Sequence, residues 1–302
     1  MKCAAMQRDP LPVVNVASVP QRSPFRYPGG KTWLVPYVRR WLCRLRPRPA
    51  ELIEPFAGGA IVGLTVVFED LVERVVLVEK DEDVAAVWVT MLEPDGARWL
   101  VERILAFDPT PDNIHAVLAE TATSSLRERA FRTLLRNRVQ RGGILAPGAG
   151  LLRQGENGRG LASRWYPQTL ARRILDIAKR RDRIRFIAGD GIAEMRARAD
   201  RPGVAFYLDP PYAGAGRRLY RHAELDHREL FTLARRLAGP FLMSYEDAPE
   251  IRALAAHHGL EARPVPMRNT HHERKFELLI AREMSWLDAD AATARERPRD
   301  RV

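Results

Sequence analysis

Five consecutive apolar residues, Val204-Ala205-Phe206-Tyr207-Leu208, run straight into Asp209-Pro210-Pro211-Tyr212. The run is short, partly aromatic and β-branched, and two prolines end it. It therefore predicts a buried strand feeding a rigid loop. Open α/β sheets place ligand chemistry at the carboxyl ends of such strands. Proline has no N–H, so this loop offers acceptors rather than donors. A carboxylate and a proline carbonyl can both accept from an exocyclic amino group, and the tyrosine ring can stack on a flat base. The bland alternative is a strand end with a proline turn.

The rest of the chain supports an α/β reading. Leu52-Ile53 reads as the end of a short strand, Gly58-Gly59 as a sharp turn, and Ala60–Phe68 as a buried helix. Strand, glycine turn and helix is the generic start of a nucleotide-binding sheet. The GxGxxG pattern is absent, and Glu54-Pro55-Phe56 before the glycines suits a ligand with a cationic or amino-acid part. Val75–Val78 predicts the second strand. It ends at Glu79, where an acid usually holds a ribose diol; a solvated charge cluster over 79–83 is the alternative. Ile184–Ala188 predicts a third strand, ending at Asp190. Phe241–Tyr245, Ala262–Met267 and Lys275–Ile280 predict the last strands, with helices at Asp226–Leu237 and Glu250–His258. Upstream, Pro28-Gly29-Gly30-Lys31 precedes a helix over Trp33–Leu45. The glycines allow close backbone approach, and Lys31 offers a point charge for a carboxylate or phosphate.

Between these halves the alternation stops. Helices are predicted at Ala97–Ala106, Ile114–Ala119 and Ser124–Arg138, followed by a loop rich in glycine and arginine, then a helix over Gln168–Lys179. The chain carries a net charge of +11, yet residues 127–185 alone hold sixteen Lys/Arg against four acids. The excess is therefore one local patch. Glycine-rich, cationic and edged by Trp165-Tyr166, this stretch is suited to tracking phosphates and reading bases.

Other features limit the alternatives. At 302 residues and 46% hydrophobic, the chain fits one large domain, or one domain with a smaller insert. No run approaches the 18 apolar residues of a spanning helix, and the first six residues are too short for a signal peptide. Cys3 and Cys43 provide no disulfide framework, which makes a reducing compartment the default. The pairs His257-His258 and His271-His272 lack a third ligand, so no metal site is expected. His271 and His272 are placed instead on a loop near a nucleic-acid backbone.

The ordered set Phe25-Arg26-Tyr27-Pro28-Gly29-Gly30-Lys31, Glu54-Pro55-Phe56-Ala57-Gly58-Gly59, an acid after the second strand, a helical insert, Asp209-Pro210-Pro211-Tyr212 and a final Glu277-Leu278-Leu279 strand resembles the deoxyadenosine methylase family of N6-adenine-specific DNA methyltransferases. The similarity spans about residues 23–283. It implies a Rossmann-like, S-adenosylmethionine-dependent methyltransferase fold: a mixed α/β sheet with a small, mostly helical DNA-recognition insert. On that basis residues 1–22 form an arm, 23–96 and 166–284 the catalytic domain, 97–165 the insert with a basic face continuing to 185, and 285–302 a disordered tail.

The resemblance also implies roles. Lys31 meets the methionine carboxylate of S-adenosylmethionine, with Tyr27 and Gly30 beside it. Glu54, Phe56 and Gly58 line the methionine and ribose region, Glu79 holds the ribose hydroxyls, and Asp190 the adenine amine. Asp209, also at the cofactor, and the Pro210 carbonyl accept from the target amine, while Tyr212 stacks on an adenine flipped out of the duplex. Arg136, Arg138, Arg141, Arg153, Arg164, Trp165, Arg217, His271 and His272 contact double-stranded DNA. The implied enzyme is a cytoplasmic, nucleoid-associated monomer away from membranes, with a cognate restriction endonuclease as a potential partner. The family's Asn-Arg-x-x-Phe-Asn-Gly-like stretch is here Arg136–Gly143, so the target sequence does not carry over. Cytosine-N4 or RNA methylation on the same fold, and a non-catalytic DNA-binding homologue, are the alternatives.

Overall fold

The computed structural model describes residues 19–26, 30–120, 125–155, 158–212, 224–268 and 274–288. Seven strands form one sheet: β1 (Glu51–Glu54), β2 (Arg74–Glu79), β3 (Ile184–Ala188), β4 (Val204–Leu208), β5 (Phe241–Glu246), β6 (Glu261–Arg268) and β7 (Arg274–Ala281). Their order is β3-β2-β1-β4-β5-β7-β6. The pairs among β1 to β5 are parallel, whereas β7 runs antiparallel to both β5 and β6. This is the expected Rossmann-like mixed sheet.

Strand order reverses between β1 and β4. From β1 the chain moves outward through β2 and β3, then crosses back to β4 on the other side. The loops after β1 and β4 diverge there and open a crevice at their carboxyl ends. All five residues of β4 are buried, as a parallel strand covered on both faces requires.

Helices cover both faces: α1 (Val35–Arg44), α2 (Ile61–Phe68), α3 (Glu82–Leu92), α4 (Gly96–Ala106), α5 (Pro111–Ala119), α6 (Leu126–Val139), α7 (Pro167–Ala178), α8 (Gly191–Ala197), α9 (His227–Arg236) and α10 (Pro249–His257). A short helix, α11, spans Ser285–Asp288. None of the described helices is long and apolar enough to cross a membrane. One core joins Leu52 and Leu77 of the sheet to Phe131 of the helical insert and Ile174 of α7. The insert thus shares its apolar interior with the sheet. A second core, on the other face, gathers Phe206, Phe231 and Tyr245.

Two local outcomes differ from the sequence reading. The acid cluster over 79–83 is the start of α3: Asp81 accepts from the backbone N–H of Asp83 at 2.9 Å and of Val84 at 3.3 Å, and Glu82 and Asp83 fill the first turn. Acids at a helix N-terminus satisfy orphan donors and complement the dipole. The expected tail begins too early, because Trp286 in α11 is buried in the core that holds Trp41. Cys43 is buried in the core, and Cys3 lies outside the described residues.

Candidate active site

Gly30 leads into a single 3₁₀ turn, Lys31–Leu34, that packs against α2 and buries the Lys31 side chain to 5% exposure. Its ammonium converges with three groups from distant parts of the chain. Lys31 Nζ donates to Tyr212 Oη at 2.8 Å and lies 3.1 Å from Asp209 Oδ1 and 3.6 Å from Glu277 Oε2. Tyr212 Oη in turn donates to Glu277 Oε1 at 2.9 Å. Ser244 in β5 donates to Asp209 Oδ1 at 2.9 Å, and the Ser244 and Tyr207 hydroxyls are themselves 2.9 Å apart. Asp209 is therefore aimed by one ammonium and one hydroxyl.

Electrostatics follow from the water-poor setting. Burial works against the Lys31 charge, but Asp209 and Glu277 outweigh it and hold the amine well above its usual value. Burial raises Glu277 despite Lys31, with Asp209 adding to the rise. With one ammonium facing two acids, Glu277 is the carboxylate that takes up a proton readily. Burial likewise raises Tyr212, keeping it a neutral phenol.

A cleft of about 610 Å³ opens beside this cluster, lined by Gly30, Lys31, Glu54, Phe56, Gly58 and Asp209. Arg138, Tyr166 and Arg173 also line it. Glu54 ends β1, is 3% exposed, and accepts from the Gly63 N–H at 2.8 Å. Burial pushes its carboxyl well above the ordinary range, and Asp209 adds to the rise. Gly58 has φ 47° and Ala60 φ 47°, so the sharp turn expected at Gly58-Gly59 extends to the residue that opens α2. Glu79 ties that turn down: its Oε2 accepts from the Gly58 N–H and its Oε1 from the Asp81 N–H, both at 2.8 Å. Trp88 Nε1 donates to the Gly58 carbonyl at 2.9 Å. Burial raises the Glu79 carboxyl above its ordinary range, against its backbone donors.

Asp190 caps α8, accepting from the Ile192 N–H at 2.7 Å, and lies 3.8 Å from the Lys80 ammonium. A Cβ on the next residue, Gly191, would stand 2.0 Å from the Pro55 carbonyl oxygen. Glycine there lets the loops after β1 and β3 meet.

No family model matches this chain, and no curated protein does either. Among solved structures it is similar to a proposed RNA methyltransferase from Pyrococcus horikoshii, with 11% identity, TM-score 0.38, and 92% of this chain and 94% of that one covered. It is also similar to the rRNA methyltransferase aviRa from Streptomyces viridochromogenes, with 16% identity, TM-score 0.40, and coverage of 88% and 89%. The glycopeptide N-methyltransferase MtfA gives 15% identity, TM-score 0.33, and coverage of 81% and 88%. Likeness at this level says nothing about substrate.

The sequence-predicted residues divide into three groups. Gly30, Lys31, Glu54, Phe56, Gly58 and Asp209 share one cleft. Pro210 and Tyr212 follow directly in the same loop, while Glu79 and Asp190 stand at the ends of β2 and β3. Tyr27, Arg217, His271 and His272 lie outside the described residues.

The expected DNA contacts need correction. Trp165 is 7% exposed and packs edge-on against Phe107 and Phe131, so it is a core residue; Tyr166, 44% exposed, is the aromatic at the surface. Arg136 is engaged internally, donating to Asp83 Oδ2 and the Leu145 carbonyl at 3.0 Å each. Arg138 is 5% exposed and donates to the Pro24 carbonyl at 2.5 Å. Arg141 and Arg153 are exposed, and Arg164 is half-buried. The basic run is also partly neutralised from outside itself: Arg127 pairs with Glu93, Arg129 with Glu82, and Arg183 with Asp70.

Sequence reasoning gave Glu277 no role at Lys31, placed Ser244 in a strand without a role, and counted Arg173 only within the basic patch. An acid between Phe276 and Leu278 in an apolar strand was the available signal for Glu277. Asn137 was likewise unrecognised. Fully buried, its side-chain carbonyl accepts from the Arg26 N–H at 2.8 Å, and its amide donates to the carbonyls of Arg26 and Gly143. It staples the segment before Lys31 to the insert.

Proposed function

We propose that the chain is an S-adenosylmethionine-dependent DNA methyltransferase acting on the N6 amine of adenine. One observation carries this reading: Asp209, the first residue of the Asp209-Pro210-Pro211-Tyr212 loop at the strand-order reversal, lines the same cleft as Glu54, Gly58 and Lys31. The donor set fits the cofactor. Glu54, a buried acid that a nearby cationic group would draw into its ionised form, suits a ligand with cationic groups, and Glu79 at the end of β2 suits a diol.

When bound, S-adenosylmethionine supplies a methyl group already activated on sulfur, so the protein needs no nucleophile. What the chain provides is orientation. Asp209 and the Pro210 carbonyl accept from the exocyclic amine, align its lone pair and face the positive charge that develops on nitrogen. Lys31 and Ser244 fix the Asp209 rotamer, so that little reorganisation accompanies the reaction. Tyr212 lies within the same loop and offers a ring face to a flipped base. Exposed Arg141 and Arg153, with Tyr166, would meet the duplex.

The test is transfer of labelled methyl from S-adenosylmethionine to mixed-sequence duplex, followed by nucleoside analysis. Labelled N6-methyladenine is expected. N4-methylcytosine, or label only in RNA, would reject the base or the polymer; no transfer to any nucleic acid despite cofactor binding would reject the activity.

A further inference from the structure

The cleft lining also holds two cations to which the proposed methyl transfer gives no role. Arg138 comes from α6 and Arg173 from α7. Both point at the chain just before Lys31: Arg138 Nη2 donates to the Pro24 carbonyl at 2.5 Å, and Arg173 Nη1 to the Ser23 carbonyl at 3.1 Å. Both line the cleft together with Gly30, Glu54 and Gly58. A guanidinium carries five N–H donors, so each has capacity left over.

What surrounds the pair is of the wrong sign to balance it. Burial first, then the charges of Arg173 and Arg26, pull Arg138 down to about 9. Arg173 is lowered by burial and by Arg172 and Arg26. Among the described residues, no carboxylate contributes to either. A buried cation without a counter-ion is costly, and the cost is recovered when an anion arrives. Lys31, to which the resemblance assigns a ligand carboxylate, is already engaged by Asp209, Tyr212 and Glu277.

We propose that Arg138 and Arg173 form an anion subsite in the cleft, and that it takes the carboxylate of the amino-acid portion of the cofactor. The inference rests on the reading of the cleft as an S-adenosylmethionine site. A nucleic-acid phosphate would offer the same oxygen chemistry. The 5% exposure of Arg138 and its position inside the cleft favour a small carboxylate over a backbone that tracks a surface.

The experiment measures equilibrium binding of S-adenosylmethionine and of its decarboxylated analogue to the full-length chain, wild type, Arg173→Gln and Arg138→Gln. Circular dichroism checks that each variant is folded. Wild type should prefer the carboxylate-bearing ligand by roughly tenfold or more, the range for a charge-assisted hydrogen bond. Arg173→Gln should erase most of that preference and leave affinity for the decarboxylated ligand unchanged. Equal loss of both ligands would mark the pair as structural and overturn the subsite. An intact preference together with weakened binding to duplex DNA would assign the pair to phosphate and overturn it as well. Wild type binding both ligands equally would reject the subsite while sparing the cofactor assignment; wild type binding neither would reject both.

Discussion

Lys31 Nζ lies 3.1 Å from Asp209 Oδ1, and the same ammonium reaches Glu277 at 3.6 Å. One cation thus joins the turn before α1, the loop after β4 and the antiparallel strand β7. It fixes the carboxylate proposed to receive the target amine and ties the site to the antiparallel part of the sheet.

Removing that cation should be felt first as lost stability. Lys31→Met leaves Asp209 and Glu277 facing each other with little water, and breaking a buried pair by deleting one partner typically costs about 3–5 kcal/mol. Urea unfolding monitored by circular dichroism would show it. The double variant Lys31→Met/Glu277→Gln should regain part of the loss, because one of the stranded charges is gone.

The buried acids predict a pH dependence of definite sign. Glu54 and Glu277 are both raised above the ordinary carboxylate value, chiefly by burial. The native state therefore holds these protons at pH values where the unfolded chain has released them. Stability should fall as pH rises from the unfolded value through the folded ones. Glu54→Gln, which keeps the shape and loses the titration, should flatten part of that decline in unfolding free energies measured between pH 4 and pH 8, about the window that ordinary carboxylates and raised ones span.

Much of the fold was legible from the sequence, for physical reasons. Ile184–Ala188 and Val204–Leu208 are short apolar runs bounded by turn residues, and both strands have those bounds. The helices α3 and α8 were hidden because Asp81 and Asp190, which cap them, also sit where a ligand-binding acid belongs. The Lys31–Glu277 contact was hidden because nothing local encodes it; β7 arrives from the end of the chain. The basic run misled for the same reason, since Asp70, Glu82, Asp83 and Glu93, which pair with its arginines, come from earlier elements.

The turn after β1 should tolerate no added methyl at its helix. A Cβ at Gly63 would stand 2.6 Å from Glu54 Oε2 and 2.7 Å from Leu77 Cδ2. Gly63→Ala must therefore push Glu54 off the Gly63 N–H or shift α2, and overpacking of this kind costs about 1–3 kcal/mol. Thermal unfolding reports the cost, and affinity for S-adenosylmethionine should weaken in parallel because Glu54 lines the cleft.

Adjacent aromatics in the insert should behave oppositely. Trp165→Ala empties a site packed against Phe107 and Phe131 and should destabilise by about 3–5 kcal/mol. Tyr166→Ala, at an exposed position, should change stability by no more than about 0.5 kcal/mol. Under the proposed function it should weaken duplex binding, measured at fixed salt, with the fold intact.

The central claim is that Asp209 orients the methyl-accepting amine, and single-turnover transfer by Asp209→Asn tests it most directly. Enzyme in excess over duplex, preloaded with S-adenosylmethionine, removes product release from the measurement. The account predicts that methylation of adenine N6 slows by about 100-fold or more, in line with the loss of one preorganised acceptor, while cofactor affinity stays within about threefold, less than the weight of a single hydrogen bond. A transfer rate equal to wild type, with N6-methyladenine still formed, would contradict it.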